Sequence, residues 1–435
     1  MDASIHAERR RQLLERMGER AVAVIASTPV SIRNNDVEHE HRQDSDLYYL
    51  TGLDEPEAVL VVSSVHEEHR AVLFVRPRNP EREIWDGPRV GVDGAREHLG
   101  LDAAFEVAEL DAKLGGYLAN AETLFYRVGR DAAMDARVLA AVEGTRRRHR
   151  YGIGFPTAIV DPAVHVHEMR LVKEPGELDV MRRAAAITAE AHDAAMRVAR
   201  PGAYEYEVEA EILRVFRQRG CERPAYGAIV GSGPNATILH HRRNDRRMAD
   251  GDLLLIDAGC ELEYYASDVT RTFPVNGRFS APQRALYDVV LEAQKRCIEA
   301  VRPGATLPDV HAVALRTLTE GLIVHGLIEA PLDEALEKEL YKPFYMHRTS
   351  HWLGMDVHDV GPYYDRGAAR PLAPGYVLTI EPGIYVAVDA EVEPKWRGIG
   401  IRIEDDVLVT EDGQENLTAA IPKEADELER RLAAR

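Results

Sequence analysis

Cysteine is scarce in this sequence: three of 435 residues, Cys221, Cys260 and Cys297, and none in a CxxC pair. An odd count at these spacings supports neither a disulfide framework nor a cysteine-ligated structural zinc, and it suits a reducing compartment. No run approaches the ~20 apolar residues needed to span a bilayer. The opening MDASIHAERR contains no apolar stretch of the kind that marks a secretory signal. The expectation is a cytoplasmic protein without a membrane partner. A basic excess is lacking as well. Lys plus Arg number 54 against 73 Asp plus Glu, a formal charge of −19, which argues against a general nucleic-acid binder. No Ser or Cys nucleophile motif stands out. The glycine-containing segments 231–234 and 398–400 lack the helix start that a dinucleotide site needs and read as turns.

What is present is an ordinary globular mix, 45% hydrophobic and 29% charged, in a chain long enough for two or three domains at ~150 residues each. Residues 1–165 read as a first α/β domain. Apolar strand-like runs recur at 21–25, 58–62, 71–75 and 123–128, with a helical pattern at 132–142 and the end of a helix with its loop at 91–100. The second domain, 166–435, opens with a helix from Pro175 to residue 198. It continues with helices over 205–219, 281–301 and 308–325, extended stretches at 226–230, 253–256, 264–273, 377–380 and 399–409, and a charged helix over 423–432.

That second domain echoes itself. Arg200-Pro201-Gly202-Ala203 and Arg302-Pro303-Gly304-Ala305 each separate two helices. Gly251-Asp252-Leu253-Leu254-Leu255-Ile256-Asp257-Ala258-Gly259 matches Gly375-Tyr376-Val377-Leu378-Thr379-Ile380-Glu381-Pro382-Gly383: a glycine, a short apolar strand, an acid, one residue and a glycine. Two helices followed by strands, twice, predict a duplicated α/β half related by a pseudo-two-fold axis.

Asp257 and Glu381 therefore end equivalent apolar strands. A buried carboxylate requires a partner, and an arginine, a helix cap or a metal each serves. Asp268 lies 11 residues beyond Asp257, across what reads as a hairpin turning at Gly259. In Gly400-Ile401-Arg402-Ile403-Glu404-Asp405, strand alternation puts Arg402 and Glu404 on one face. Each half thus supplies two acids, and His351 and His358 lie between the pairs. Four carboxylates packed together repel unless cations sit among them, and an oxygen-rich set with an imidazole favours hard divalent ions such as Mn²⁺.

The motifs Asp257-Ala258-Gly259, Ser267-Asp268-Val269-Thr270-Arg271-Thr272-Phe273, Ser350-His351-Trp352-Leu353-Gly354, Thr379-Ile380-Glu381-Pro382-Gly383 and Gly400-Ile401-Arg402-Ile403-Glu404-Asp405 resemble the pita-bread metallopeptidases of the aminopeptidase P family. The likeness extends to the first domain through Asp44-Ser45-Asp46-Leu47-Tyr48-Tyr49-Leu50-Thr51-Gly52 and Glu55-Pro56-Glu57-Ala58. The resemblance implies an α/β (α+β) protein, with an N-terminal creatinase-like α/β domain ahead of a pita-bread domain of duplicated halves. It implies an aminopeptidase that removes the first residue of peptides with proline in second position.

It further implies two Mn²⁺ per subunit, with Co²⁺ or Zn²⁺ as substitutes, held by Asp257, Asp268, His351, Glu381 and Glu404. Asp268 and Glu404 would bridge the ions, and a hydroxide between them would attack the carbonyl before proline. His358 would stabilise the tetrahedral oxygen, Glu381 would orient the nucleophile or relay its proton, and His240 would face the substrate. His347 and Tyr385 would line the proline pocket, and Arg402 would orient Asp257 or form a plain salt bridge with it. Trp85 would reach a neighbouring subunit's site in a homodimer or homotetramer, or else be a buried structural tryptophan. His241 departs from the family pattern. The alternatives are a dipeptidase for Xaa-Pro (prolidase), a creatinase-like C–N hydrolase without the full acidic set, and a non-catalytic binding module of the same fold.

Overall fold

The computed structural model describes residues 2–434. They form two compact units, one reaching Arg170 and the other starting at Leu171.

The first unit is built on a six-stranded mixed sheet, in the order Ala103–Glu106, Ala71–Val75, Val59–Ser63, Ala21–Ala26, Thr123–Phe125, Ala158–Val160. Its strands are near-continuous apolar runs because both faces are covered: Val22, Val61, Val72, Phe74 and Leu124 are fully buried. Helix Ala3–Met17 was not anticipated, because its polar residues hide the pattern. It buries Arg9 and Arg10, and the Arg10 guanidinium donates to the carbonyls of Leu50, Leu99 and Gly100 at 2.7 Å each. Residues 91–99 are a whole helix, Gly91–Leu99, rather than the end of one. The strand expected over 123–128 stops at Phe125.

In the second unit the duplication is physical. Helices Pro175–Val198 and Glu205–Gln218 pack as one pair, Ala281–Ala300 and Leu307–Val324 as the other. The glycines that separate them, Gly202 and Gly304, both have positive φ, +92° and +85°. Each donates its N–H to an equivalent carbonyl, Met248 at 2.8 Å and Leu372 at 2.9 Å. Equivalent bridges follow, Tyr204 to Arg247 and Thr306 to Pro371. In one half, strand Leu253–Asp257 lies between Ile229–Ser232 and Thr270–Pro274. In the other, Val377–Ile380 lies between the segment around His351–Leu353 and Asp405–Val409.

Two expectations need correction. Asp257 pairs across the ladder with Thr270, and the intervening chain forms a second small hairpin, Cys260–Leu262 with Tyr265–Ala266, which turns at Glu263 and Tyr264, both at positive φ. Gly259 is not the turn. Its place is needed because a Cβ there would fall 1.7 Å from the Ser267 carbonyl oxygen, so only glycine lets the backbone beside Asp257 approach the backbone beside Asp268. The expected strand over 399–409 is broken: Gly400–Arg402 pairs with Gly383–Tyr385, whereas Asp405–Val409 pairs with Val377–Ile380. Glu404 sits at the switch between them, tied to the first half by its N–H donating to the Thr270 carbonyl at 3.0 Å.

Candidate metal centre

The acids end their strands where the two halves meet. Asp257, Asp268, His351, Glu381 and Glu404 all line one cavity of about 730 Å³, together with His240, His347, His358 and Arg402. Asp268, His351 and Glu404 place ligand atoms within 4.8 Å of one another. His351 Nε2 is 3.3 Å from Asp268 Oδ2 and 3.6 Å from Glu381 Oε1.

Whether this set suits a cation can be judged from its hydrogen bonds. His351 Nδ1 lies 3.0 Å from the Trp352 carbonyl. A carbonyl only accepts, so Nδ1 carries the proton, and in the neutral ring the Nε2 lone pair faces the acids. The Tyr226 hydroxyl is 2.5 Å from an oxygen of Asp257 and 2.5 Å from an oxygen of Asp268. One hydroxyl proton thus serves two carboxylates. Among the described residues, Arg402 is the only guanidinium in the cluster's wall that pairs with its acids, through Nη2 to Asp257 Oδ2 at 2.6 Å. Four acids against one arginine leave a deficit of positive charge that divalent ions would fill.

The protonation behaviour of the cluster follows from that deficit. Burial, with the neighbouring carboxylates, pushes Asp257 up and Glu404 well up. Burial raises Glu381 to about 7, against the pull of His351 and Arg402. Burial alone would depress His351, but Asp268 and Glu381 outweigh it and hold the ring at about 9. Without metal, Glu381 and His351 therefore bind protons more tightly in the folded protein than in the unfolded chain. Glu381 contributes stability fully below its ordinary 4.5 and loses it as pH rises through about 7. His351 contributes fully below its ordinary 6.5 and loses it through about 9. Both work in the same direction, so metal replaces protons most usefully at high pH. We predict that a chelator lowers Tm more at pH 9 than at pH 6, as read by scanning calorimetry. Equal drops at the two pH values would contradict this charge balance.

Arg402, Tyr385, His347 and His358 lie around the acids. Arg402 Nε donates to Thr270 Oγ1 and Nη1 to the Tyr385 hydroxyl, both at 3.0 Å, and Thr270 Oγ1 donates to Glu404 Oε2 at 2.7 Å. Arg402 therefore does more than form a simple ion pair: one planar group orients Asp257, Thr270 and Tyr385. His347 Nδ1–H donates to the Arg348 carbonyl at 2.8 Å, which leaves Nε2 to accept from the Tyr385 hydroxyl at 2.9 Å. Burial, then the charge of Arg402, lowers His347 to about 3. His358 packs edge-on against His351, ring centroids 4.5 Å apart, and is lowered by burial and by the His351 charge.

His241 does not join this cavity. Its Nε2 lies 3.0 Å from Glu205 Oε2, in a buried knot where the same carboxylate accepts from the Ser232 N–H and hydroxyl, Asn235 Nδ2 and the Arg246 N–H. Trp85 belongs to the first unit and is 83% exposed, on a helix, Pro80–Asp86, that buries none of its residues. That excludes the buried structural reading. Tyr226 was missed as a site residue; the stretch around it read as a strand.

Comparison with known proteins agrees with this geometry. The family model of metallopeptidase family M24 matches residues 179–411, and that of the aminopeptidase P N-terminal domain matches residues 6–126. The Xaa-Pro aminopeptidase of Escherichia coli (strain K12) is 46% identical, over 98% of this chain and 97% of that protein. The solved structure of Pseudomonas aeruginosa aminopeptidase PepP is 47% identical, with a TM-score of 0.98 over 100% of this chain and 98% of the other. An E. coli aminopeptidase P variant solved in complex with substrate is 44% identical, with a TM-score of 0.96 over 100% and 99% of the two chains.

Proposed function

This chain belongs to metallopeptidase family M24, and from that premise we propose that it is an Xaa-Pro aminopeptidase whose centre holds two divalent cations, Mn²⁺ in the cell. The observation that carries this reading is the gathering of four acids, two from each half, around one cavity with His351, whose Nε2 lies 3.3 Å from Asp268 and 3.6 Å from Glu381. Asp257, Asp268, His351, Glu381 and Glu404 would hold the ions, with Asp268 and Glu404 assigned as the shared ligands. When bound, such a pair of ions supplies a water of lowered pKa and a Lewis acid for the carbonyl.

The chain's own residues do the rest. Glu381 takes a proton from the nucleophile and returns it to the departing proline nitrogen. His358 is kept neutral and donates toward the carbonyl oxygen as charge develops there. His240 and His347 flank the substrate, with His347 fixed by Tyr385. The apolar wall of Ile229, Leu239 and Val357 receives the substrate's side chains. A Xaa–Pro bond has no N–H to offer, so recognition rests on the shape of the ring.

The protein is further proposed to work in the cytoplasm. Its three cysteines are buried and free, and among the described residues no helix is long and apolar enough to cross a membrane. The exposed Ile84–Trp85 pair, 82% and 83%, is assigned to contact between copies in a homodimer or homotetramer.

The test is a panel of Xaa-Pro peptides of two to six residues with Mn²⁺. Release of arginine from Arg-Pro-Pro is expected. Cleavage confined to Xaa-Pro dipeptides would overturn the reading in favour of a prolidase.

A further inference from the structure

The cavity carries charge that the reaction described above does not use. Its lining acids are the four assigned ligands, and Arg402 is committed to Asp257. The two remaining lining side chains with permanent charge are Arg242 and Arg348. Both are exposed, and neither guanidinium has a hydrogen-bond or ion-pair partner among the described residues.

Their places differ but face one space. Arg242 lies over the backbone of Gly227: a Cβ there would meet its Cδ, Nε and Cζ at 3.6–3.9 Å. Gly227 follows Tyr226, whose hydroxyl touches Asp257 and Asp268. Arg348 sits between His347 and Thr349, and its charge, after burial, helps lower His311 to about 4. A free guanidinium offers a planar fork of donors matched to a carboxylate. An aminopeptidase holds the substrate's amino end at the metal cluster, so the chain beyond proline leaves along the cavity wall toward solvent, where exposed lining residues meet it.

We propose that Arg242 and Arg348 form a carboxylate-recognition site for the part of the peptide downstream of the scissile bond. The carboxylate comes from one of two sources, the C-terminus of a short peptide or an Asp or Glu side chain at the third or fourth position. This rests on the Xaa-Pro aminopeptidase reading.

The test measures kcat/KM of the Mn²⁺-loaded enzyme for Ala-Pro-Ala as free acid and as amide, and for Ala-Pro-Glu-Ala amide against Ala-Pro-Gln-Ala amide. It compares the wild type with R242Q, R348Q and the double variant. A preference of about fivefold for the carboxylate form is expected, the scale of an exposed ion pair. It should reside mainly in KM, shrink with added salt and approach one in the double variant. The pair of peptides that shows it identifies the source. Equal rates for acid and amide, and for Glu and Gln, in the wild type would overturn the proposal, as would a preference that survives in the double variant. Failure to cleave any of the four peptides would overturn the aminopeptidase reading itself, and this inference with it.

Discussion

Asp268→Ala is expected to lower turnover of Xaa-Pro peptides by about a thousandfold or more with the fold retained. A shared ligand removed from two cations forfeits several kcal/mol of charge stabilisation in the transition state, and each ~1.4 kcal/mol is tenfold in rate. Retention of the fold follows from the same charges. Asp268 is 5% exposed and adds to the repulsion that raises Asp257, Glu381 and Glu404. Its side chain lies beside Tyr226 and His351, both of which keep other partners, Asp257 and the Trp352 carbonyl. Its backbone N–H bond to Asp406 at 3.2 Å is untouched. The metal-free variant should therefore melt no lower than the metal-free parent. Turnover near the parent's would refute the shared-ligand assignment, and a large fall in Tm would refute the claim that Asp268 is present for the metals rather than for the fold.

Arg271→Met should produce the opposite profile, a large loss of stability from a residue that touches no substrate. Arg271 and Asp405 are both 0% exposed and paired at 2.6 Å. The same guanidinium donates to the carbonyls of Thr270, Glu404, Ile421 and Pro422 at 2.6–3.1 Å. Methionine fills much of the volume but leaves those carbonyls unsatisfied and the Asp405 charge buried, with Lys423, Gln294, Asn416 and Thr418 as its remaining partners. Breaking a buried pair in this way costs roughly 3–5 kcal/mol, to be read from the denaturant midpoint. Arg182→Met is the contrast, because its pair with Glu415 is 42% and 40% exposed and pairs of that kind contribute below about 1 kcal/mol. Equal effects from the two substitutions would contradict this account. Because Arg271 also fixes the Glu404 carbonyl, a drop of roughly 10–100-fold in metal affinity should accompany the loss.

The repeat and the strand-end acids were readable because both depend on local order: Pro-Gly stops, glycine-led apolar strands and an acid at a fixed offset. The four long helices of the second unit lie where their start and stop residues put them. What was hidden depends on contacts distant in sequence. Tyr226 serves acids 31 and 42 residues away, and a lone tyrosine carries no spacing that would reveal it. Gly259 reads as a turn residue, yet it is needed for a close backbone approach set by a second hairpin nested inside the first. The break at residues 403–404 follows from a change of strand partner, to which alternating Ile and polar residues are blind. Helix Ala3–Met17 was obscured because part of what it buries is arginine, satisfied by carbonyls 40 to 90 residues away.

The most direct test of the central claim follows metal and chemistry together. Metal-free protein is titrated with Mn²⁺ while bound metal and the release of the first residue from a Xaa-Pro tripeptide are measured in the same samples. The account predicts that activity reaches its plateau only as the second equivalent per chain binds, and that Asp268→Ala fails to reach it. Full activity in the metal-free protein, or a plateau already at the first equivalent, would contradict a two-cation centre built from these five residues.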